Sequence, residues 1–540
     1  MNAPLRDRSG LLIDDQPEMR SSVRIQLSDI GLEKCDQARN VKEAVERLSQ
    51  NQYDLIICDY NLGQGADGQQ LLELLRRRNL LPHASVFLMI TGETGYEQVS
   101  TAAEYAPDDY LLKPFTSELL RNRLLRILDK KQALQPLYQH LGEKGDSKKA
   151  LAACDTLLAG NSRYGLDILR HKGDLLMALG RHDEALALYE SVLQQRSTPW
   201  AEVGKARVLA ADGNAAAART HLQEALRAYP NYLAAYDSLA ELLEKDEPDA
   251  AQEVVERSLA IAPTTQRHRR LGALALENKD YARAETAFRR AVEKDRTGFF
   301  KSHDDYAGLA HSYAEQGKTQ EALAALKEMG NHFRASAALD ARQAAVESLV
   351  HAKAGDVDAA KAALARALKA GQGDELDTST QLEIAQACFA SGQDDEAKNI
   401  LRGVAEDYQE NEKVLAAAQR VFAKAGRDDE GGIFLDAAKR SMVKLNNEAV
   451  ALAKAGELDK AIAMLTEAAD RLHNNCQVAI NAALALLMYV HRNGLRIDYL
   501  SKAHDYIIQA RFANPEHPRL PEVETFYRHV APPGTILLEE

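Results

Sequence analysis

Asp14, Asp15, Asp59, Thr91 and Lys113 each follow a short apolar run, and together they are the side chains that phosphoryl chemistry uses. Three neighbouring carboxylates repel one another, which raises their pKa values unless a cation intervenes. A hard divalent ion meets that need, and Mg2+ takes one or two carboxylates together with water and phosphate oxygens. The main-chain carbonyl of Asn61, two residues past Asp59, is spaced to complete such a site. With the incoming charge screened, Asp59 can attack phosphorus in line and form an acyl phosphate. Lys113 would give one phosphoryl oxygen a fixed positive charge, and the Thr91 hydroxyl would donate to another. Singly, each residue has a plainer reading. Asp14 and Asp15 can cap a helix, Asp59 can be a strand-end acid, Thr91 can open a helix, and Lys113 can be solvated. The combination carries the chemistry.

A sheet is what would bring them together. "GLLI" (10–13), "LIIC" (55–58), "SVFLMI" (85–90) and "DYLL" (109–112) read as strands, with "KCDQAR" a weaker one. Between them "PEMRSSVRIQLSDI", "VKEAVERLSQ", "GQQLLELLRRR", "YEQVSTAAEY" and "SELLRNRLLRILDKK" have helical periodicity. Strand and helix alternating in this way predict an α/β, doubly wound, five-stranded parallel sheet with helices on both faces. Such sheets bind ligands beyond the carboxyl ends of their strands, where strand order reverses. The acids, the threonine and the lysine all stand at those ends.

Past Gln135 strand patterns give way to alanine and leucine, and a motif returns near the 34-residue tetratricopeptide period. Its turn glycines are Gly145, Gly180, Gly213, Gly317, Gly355, Gly392 and Gly456, with weaker copies starting at Asp246, Lys279 and Gly426. Five residues after most of these turns comes an alanine (Ala150, Ala185, Ala218, Ala322, Ala397, Ala461), small enough to let two helices approach closely. Gly173 and Gly272 in first helices, Tyr189 and Phe288 in second helices, and Pro230 and Pro263 after them complete the pattern. The chain from 135 to 475 resembles the tetratricopeptide repeat (TPR) family, with about nine or ten units. The segment 476–540 reads as a helical capping pair and an irregular tail.

"LLIDD", "LIICDYNLG", "FLMITG" and "DYLLKPF" make residues 1–130 similar to the receiver domain of bacterial two-component response regulators. That resemblance implies Asp59 as phosphoacceptor, Asp14 and Asp15 as the acidic metal pair and Asn61 as a main-chain ligand, with Mg2+ as cofactor. It also implies Thr91 and Tyr110 as switch residues, Lys113 as the phosphoryl-binding lysine, and a cis bond before Pro114. Tyr110 alone also reads as a core tyrosine. The loop "NLGQGADG" lacks the family's usual proline and is one residue longer before Gly68. The whole chain is similar to receiver–TPR regulators of the VieB type, a multidomain protein with an all-α TPR superhelix as output.

The net charge of −13 and a pI near 5.7 argue against a nucleic-acid-binding protein. Five scattered cysteines without a C-x-x-C pair fit reduced thiols in a cytoplasm. The start of the chain lacks the apolar core of a secretory signal, and "VAINAALALLMYV" (478–490) is too short to span a bilayer, so a buried helix and no membrane insertion are expected. No glycine-rich phosphate loop or DNA-binding helix-turn-helix follows residue 130, so the output reads as binding, not as an enzyme beyond the receiver's own phosphoryl transfer and dephosphorylation. Expected partners are a histidine kinase or phosphotransfer protein and a protein or peptide held by the repeats, another response regulator included. A homodimer is compatible with this reading, as is a constitutive TPR scaffold with an unphosphorylated pseudo-receiver. "RRR" at Arg76–Arg78 reads as an exposed helix end, "QRHRR" at 266–270 as a solvated repeat face, and Asn446-Asn447 as a candidate partner contact.

Overall fold

The computed structural model describes residues 5–63, 66–92, 107–142, 145–160, 162–295, 301–372, 376–515 and 517–531. The expected helix at 96–105 and the tail from 532 lie outside them. By compactness the chain divides into two units, 1–312 and 313–540.

The first unit begins with β1 (Ser9–Ile13), α1 (Pro17–Asp29), β2 (Lys34–Ala38), α2 (Val41–Gln50), β3 (Leu55–Asp59), α3 (Gly68–Arg77), β4 (Val86–Thr91), β5 (Asp109–Leu112) and α4 (Ser117–Ala133). The strands form one parallel sheet in the order β2-β1-β3-β4-β5, the doubly wound arrangement whose order reverses between β1 and β3. Residues two apart share a face. Leu11, Ile13, Ile56, Cys58, Phe87 and Met89 thus enter one apolar layer, and Leu12, Leu55, Ile57, Val86, Leu88 and Ile90 the other. The sheet is buried on both sides, which is why β3 and β4 read as unbroken apolar runs.

From Gln135 onward every described element is helical. Gly180, Gly213, Gly317, Gly355, Gly392, Gly426 and Gly456 all adopt φ between 66° and 88°, the left-handed turn glycine tolerates without strain. Lys279 takes the same role at φ 60°, whereas Gly145 does not, and Gly142 bends the chain there at φ 112°. The six motif alanines are fully buried. A Cβ on Gly173 would stand 2.7 Å from the Tyr189 ring, and one on Gly272 2.8 Å from Phe288. Gly204 and Gly308 close the other side of the same rings, where a Cβ would come within 2.4 Å of either. The sequence pattern did not single those two out.

Two regions depart from the expected pairing. Asp428–Lys454 is one 27-residue helix, where a turn between two helices was expected. No glycine or proline lies between Gly432 and Gly456 to end it. The C-terminal cap has three helices, Cys476–Asn493, Ile497–Ala513 and Leu520–Val530, because Val523 and Tyr527 bury against the first two. Asn481, which interrupts the apolar run of the first of these, is satisfied by donating to Asn446 Oδ1 at 2.9 Å. Asn446 is therefore a buried structural residue and Asn447 stays exposed.

The first helix pair is joined to the sheet with almost no linker. α4 ends at Ala133, and the one-turn helix Gln135–Tyr138 follows. Lys131 is buried there, paired with Asp108 Oδ1 at 2.8 Å, donating to the His83 carbonyl at 2.8 Å, and 5.4 Å from the Tyr138 ring centroid. Tyr138 stacks on His83 at 5.8 Å and meets His171 of helix Gly165–Ala178 edge-on at 5.9 Å. Lys130 pairs with Asp167 at 2.5 Å, the Tyr164 hydroxyl donates to Asp129 at 2.6 Å, and Arg163 pairs with Asp129 as well. Arg77 donates to Gln266. Arg77 and Arg78 are exposed at the end of α3, as the sequence suggested, whereas Arg76 is half-buried and burial holds its pKa down. The 266–270 stretch is not merely solvated, since Arg267 pairs with Asp237, Arg269 with Asp305 and Arg270 with Glu244, tying three first helices together.

Candidate functional site

β1 and β3 lie side by side with Ile13 opposite Cys58, so the acids that follow or end them meet at the sheet's carboxyl edge. The carboxylates of Asp14, Asp15 and Asp59 can each place an oxygen within 4.8 Å of the others. Lys113, just past β5, bridges two of them, with Nζ 2.8 Å from Asp59 Oδ2 and 3.2 Å from Asp14 Oδ2. Thr91 is the last residue of β4 and is 1% exposed, and its carbonyl accepts from the Lys113 amide at 2.8 Å. Asp59 does end β3, but the plainer readings of the other four residues do not hold. Gln16, not an aspartate, stands at the N-cap of α1, and Asp14 Oδ1 instead accepts from the Gln16 amide at 2.8 Å. Thr91 ends a strand, and the Lys113 side chain is mostly buried.

The charges are not at ease. Burial raises the Asp59 pKa above the ordinary carboxylate value, Lys113 opposes this by hydrogen bond and attraction, and the Asp14 charge adds to it. For Lys113 burial alone would lower the pKa, but the hydrogen bond and attraction to Asp59 and the charge of Asp14 outweigh it and raise it. One lysine thus leaves a cluster of three acids under-compensated. Asp15 Oδ1 is buried and has no hydrogen-bond partner among the described residues. A cation of the oxygen-seeking kind fits this orphaned acceptor and the two carboxylates beside it.

The loop after β3 gives the site its room. Gly63 has φ 76°, and a Cβ there would lie 2.8 Å from Asp15 Oδ2. Gly68 opens α3 against the end of β3, its amide donating to the Tyr60 carbonyl at 2.8 Å, and its Cβ would lie 2.4 Å from the Asp59 carbonyl. Asn61 precedes both, its side chain accepting from the Gly63 amide at 3.1 Å. Residues 64 and 65 of this loop lie outside the described residues. Tyr110 is 5% exposed, packed with Phe87 and Met89, and the Lys113–Pro114 peptide bond is cis.

Sequence reasoning missed Arg20, which is buried in the first turns of α1 and donates to the Asp14 carbonyl at 2.6 Å. Its signal was there. Arg20 occupies the same helix stripe as Val23 and Leu27, where an apolar residue is expected.

Residues 11–125 match the response regulator receiver domain family, and residues 139–199 and 241–299 match a tetratricopeptide repeat family. The chain is similar to the chemotaxis protein CheY-3 of Vibrio cholerae serotype O1, 33% identical over 120 residues that make up 22% of this chain and 91% of that one. It is also similar to the chemotaxis protein CheY of Pseudomonas aeruginosa, 30% identical over 120 residues, 22% of this chain and 95% of that one. Among solved structures, a tetratricopeptide repeat protein from Parabacteroides merdae aligns with 48% of this chain and 98% of its own at 16% identity and a TM-score of 0.30. With its acids, threonine and lysine gathered at one sheet edge and residues 11–125 so matched, the chain belongs to the response regulator receiver family, and tetratricopeptide repeats follow its receiver domain.

Proposed function

We propose that this chain is a phosphorylation-regulated adaptor of two-component signalling, acting in the cytoplasm. A histidine kinase or phosphotransfer protein supplies the phosphoryl group to Asp59, and the repeats engage a protein partner, for which another response regulator of the same relay is a candidate. The observation that carries this reading is the convergence of Asp14, Asp15 and Asp59 within 4.8 Å with Lys113 bound to two of them.

In the transfer, an Asp59 carboxylate oxygen forms the new O–P bond as the P–N bond to the donor imidazole breaks, and the imidazole leaves with the electron pair. Asp14, Asp15, Asp59 and the Asn61 carbonyl would hold Mg2+, which would supply charge neutralisation for the incoming group. Lys113 is released from the Asp59 oxygen it now holds and keeps its charge on a phosphoryl oxygen. Thr91 donates its hydroxyl to another, while Tyr110 is already turned inward against Phe87 and Met89. The protein promotes its own phosphorylation and dephosphorylation and carries no other catalysis in this reading.

The test is incubation of the full chain with MgCl2 and acetyl phosphate, followed by intact-mass measurement and hydroxylamine treatment. A phosphoryl adduct that hydroxylamine removes and that Asp59→Ala abolishes is expected. Wild-type protein that takes up no phosphate would instead leave a pseudo-receiver on a constitutive repeat scaffold. Native-lysate pull-downs with wild type and Asp59→Ala then read whether the partner set changes.

A further inference from the structure

We infer that Arg20 is a positioning residue for the metal-binding acids, locking the main chain at Asp14 so that the neighbouring carboxylates face one cation. The inference rests on the receiver reading above. A buried guanidinium needs compensation, because arginine is almost never fully buried unless paired. Arg20 finds it in a main-chain oxygen, with Nη1 2.6 Å from the Asp14 carbonyl, a charge-assisted hydrogen bond.

Asp14 is held at every other point as well. Its amide donates to the Ala38 carbonyl at 3.2 Å, Oδ1 accepts from the Gln16 amide at 2.8 Å, and Oδ2 accepts from Lys113 at 3.2 Å. Asp15, the next residue, has the opposite character: its Oδ1 is buried and has no partner among the described residues. The two acids therefore divide the work. Asp14 is the fixed point of the turn from β1 into α1, and Asp15 presents the open oxygen. Arg20 sets the carbonyl that joins them, so its loss frees the peptide plane that aims Asp15.

Two alternatives predict a different sign. If Arg20 acted only as a nearby positive charge, removing it would tighten cation binding, because like charges repel. If it served only to fill the α1 stripe, removing it would lower the unfolding midpoint and leave cation affinity alone. A positioning role weakens affinity, and the loss of groups that orient metal ligands typically costs about 10–100-fold.

MgCl2 titrated calorimetrically into the full-length wild type, Arg20→Met and Arg20→Lys separates these outcomes, with unfolding midpoints recorded in the absence of Mg2+. Arg20→Met is expected to bind Mg2+ at least about tenfold more weakly. Arg20→Lys, which keeps the charge and one donor, is expected to recover part of the loss. Affinity in Arg20→Met that is unchanged or tighter, whatever its unfolding midpoint, overturns the inference. Should Arg20→Met fail to unfold cooperatively, Arg20→Lys decides alone, weaker binding supporting the inference and equal or tighter binding overturning it. A wild type that binds no Mg2+ overturns the receiver reading itself.

Discussion

Asp59 carries a cost that its neighbours do not fully offset. Its proton is held more tightly in the folded chain than in an unfolded one, so below the ordinary carboxylate range this group does not penalise folding. As pH rises through that range and the raised folded value, stability is lost. Asp59→Asn is therefore expected to raise the unfolding midpoint of the metal-free protein at pH 7 while abolishing phosphoryl uptake. The gain should shrink as pH is lowered into the range where the wild-type acid is itself protonated. Calorimetric unfolding of both proteins from pH 7 downward checks the sign, and equal midpoints at pH 7 would contradict it. Gly63 gives a second expectation at this scale. Its left-handed φ and the nearby Asp15 carboxylate leave no place for a methyl group, so Gly63→Ala is expected to weaken Mg2+ binding in a calorimetric titration.

Among the elements, the repeat glycines give the clearest test of packing. Gly204→Ala and Gly308→Ala each push a methyl group to within 2.4 Å of an aromatic ring already closed in by a second glycine. Overpacking of this kind costs about 1–3 kcal/mol, so each variant should unfold at lower denaturant than the wild type, whereas Gly403→Ala, where nothing lies within reach, should not lose stability by this route. These sites also mark what the sequence could and could not disclose. The five strands, the acids at their ends and the turn glycines were legible because each has a local signature, short apolar runs for the strands and recurring glycines at the turns. Gly204 and Gly308 were not, because a glycine inside a helix declares itself only through the ring packed against it from another repeat. Arg20's place on the α1 stripe was legible, but its role was not, since its partner is a carbonyl, which has no side-chain identity to read. The missing turn inside Asp428–Lys454 escaped because the period of the repeat was followed past the point where breakers stop.

The first unit, 1–312, joins receiver and repeats through groups that titrate. Burial lowers the pKa of His83 and brings that of His171 down to about 4, both beside Tyr138, with Arg76, Lys131 and Lys130 as unfavourable cationic neighbours and Asp108 and Asp167 as favourable acids. Each histidine is neutral in the fold and charged when released at mildly acid pH. The stability they share with this junction is thus present above the ordinary histidine value and falls as pH drops toward about 4. Hydrogen exchange of helix Gly165–Ala178 should accordingly quicken between pH 6.5 and 5 beyond its intrinsic pH dependence, and Tyr138→Ala should remove that excess while leaving acetyl phosphate uptake intact. The second unit, 313–540, contains the unbroken helix Asp428–Lys454, about 40 Å long at 1.5 Å per residue. Repeat arrays ordinarily gain and lose whole units because a turn separates each helix from the next. Across these 27 residues no such joint exists, so removing or duplicating one motif would rotate everything beyond it by an uneven fraction of a helical turn. The two helix halves fused here are a single element, with no turn at which a motif could be exchanged.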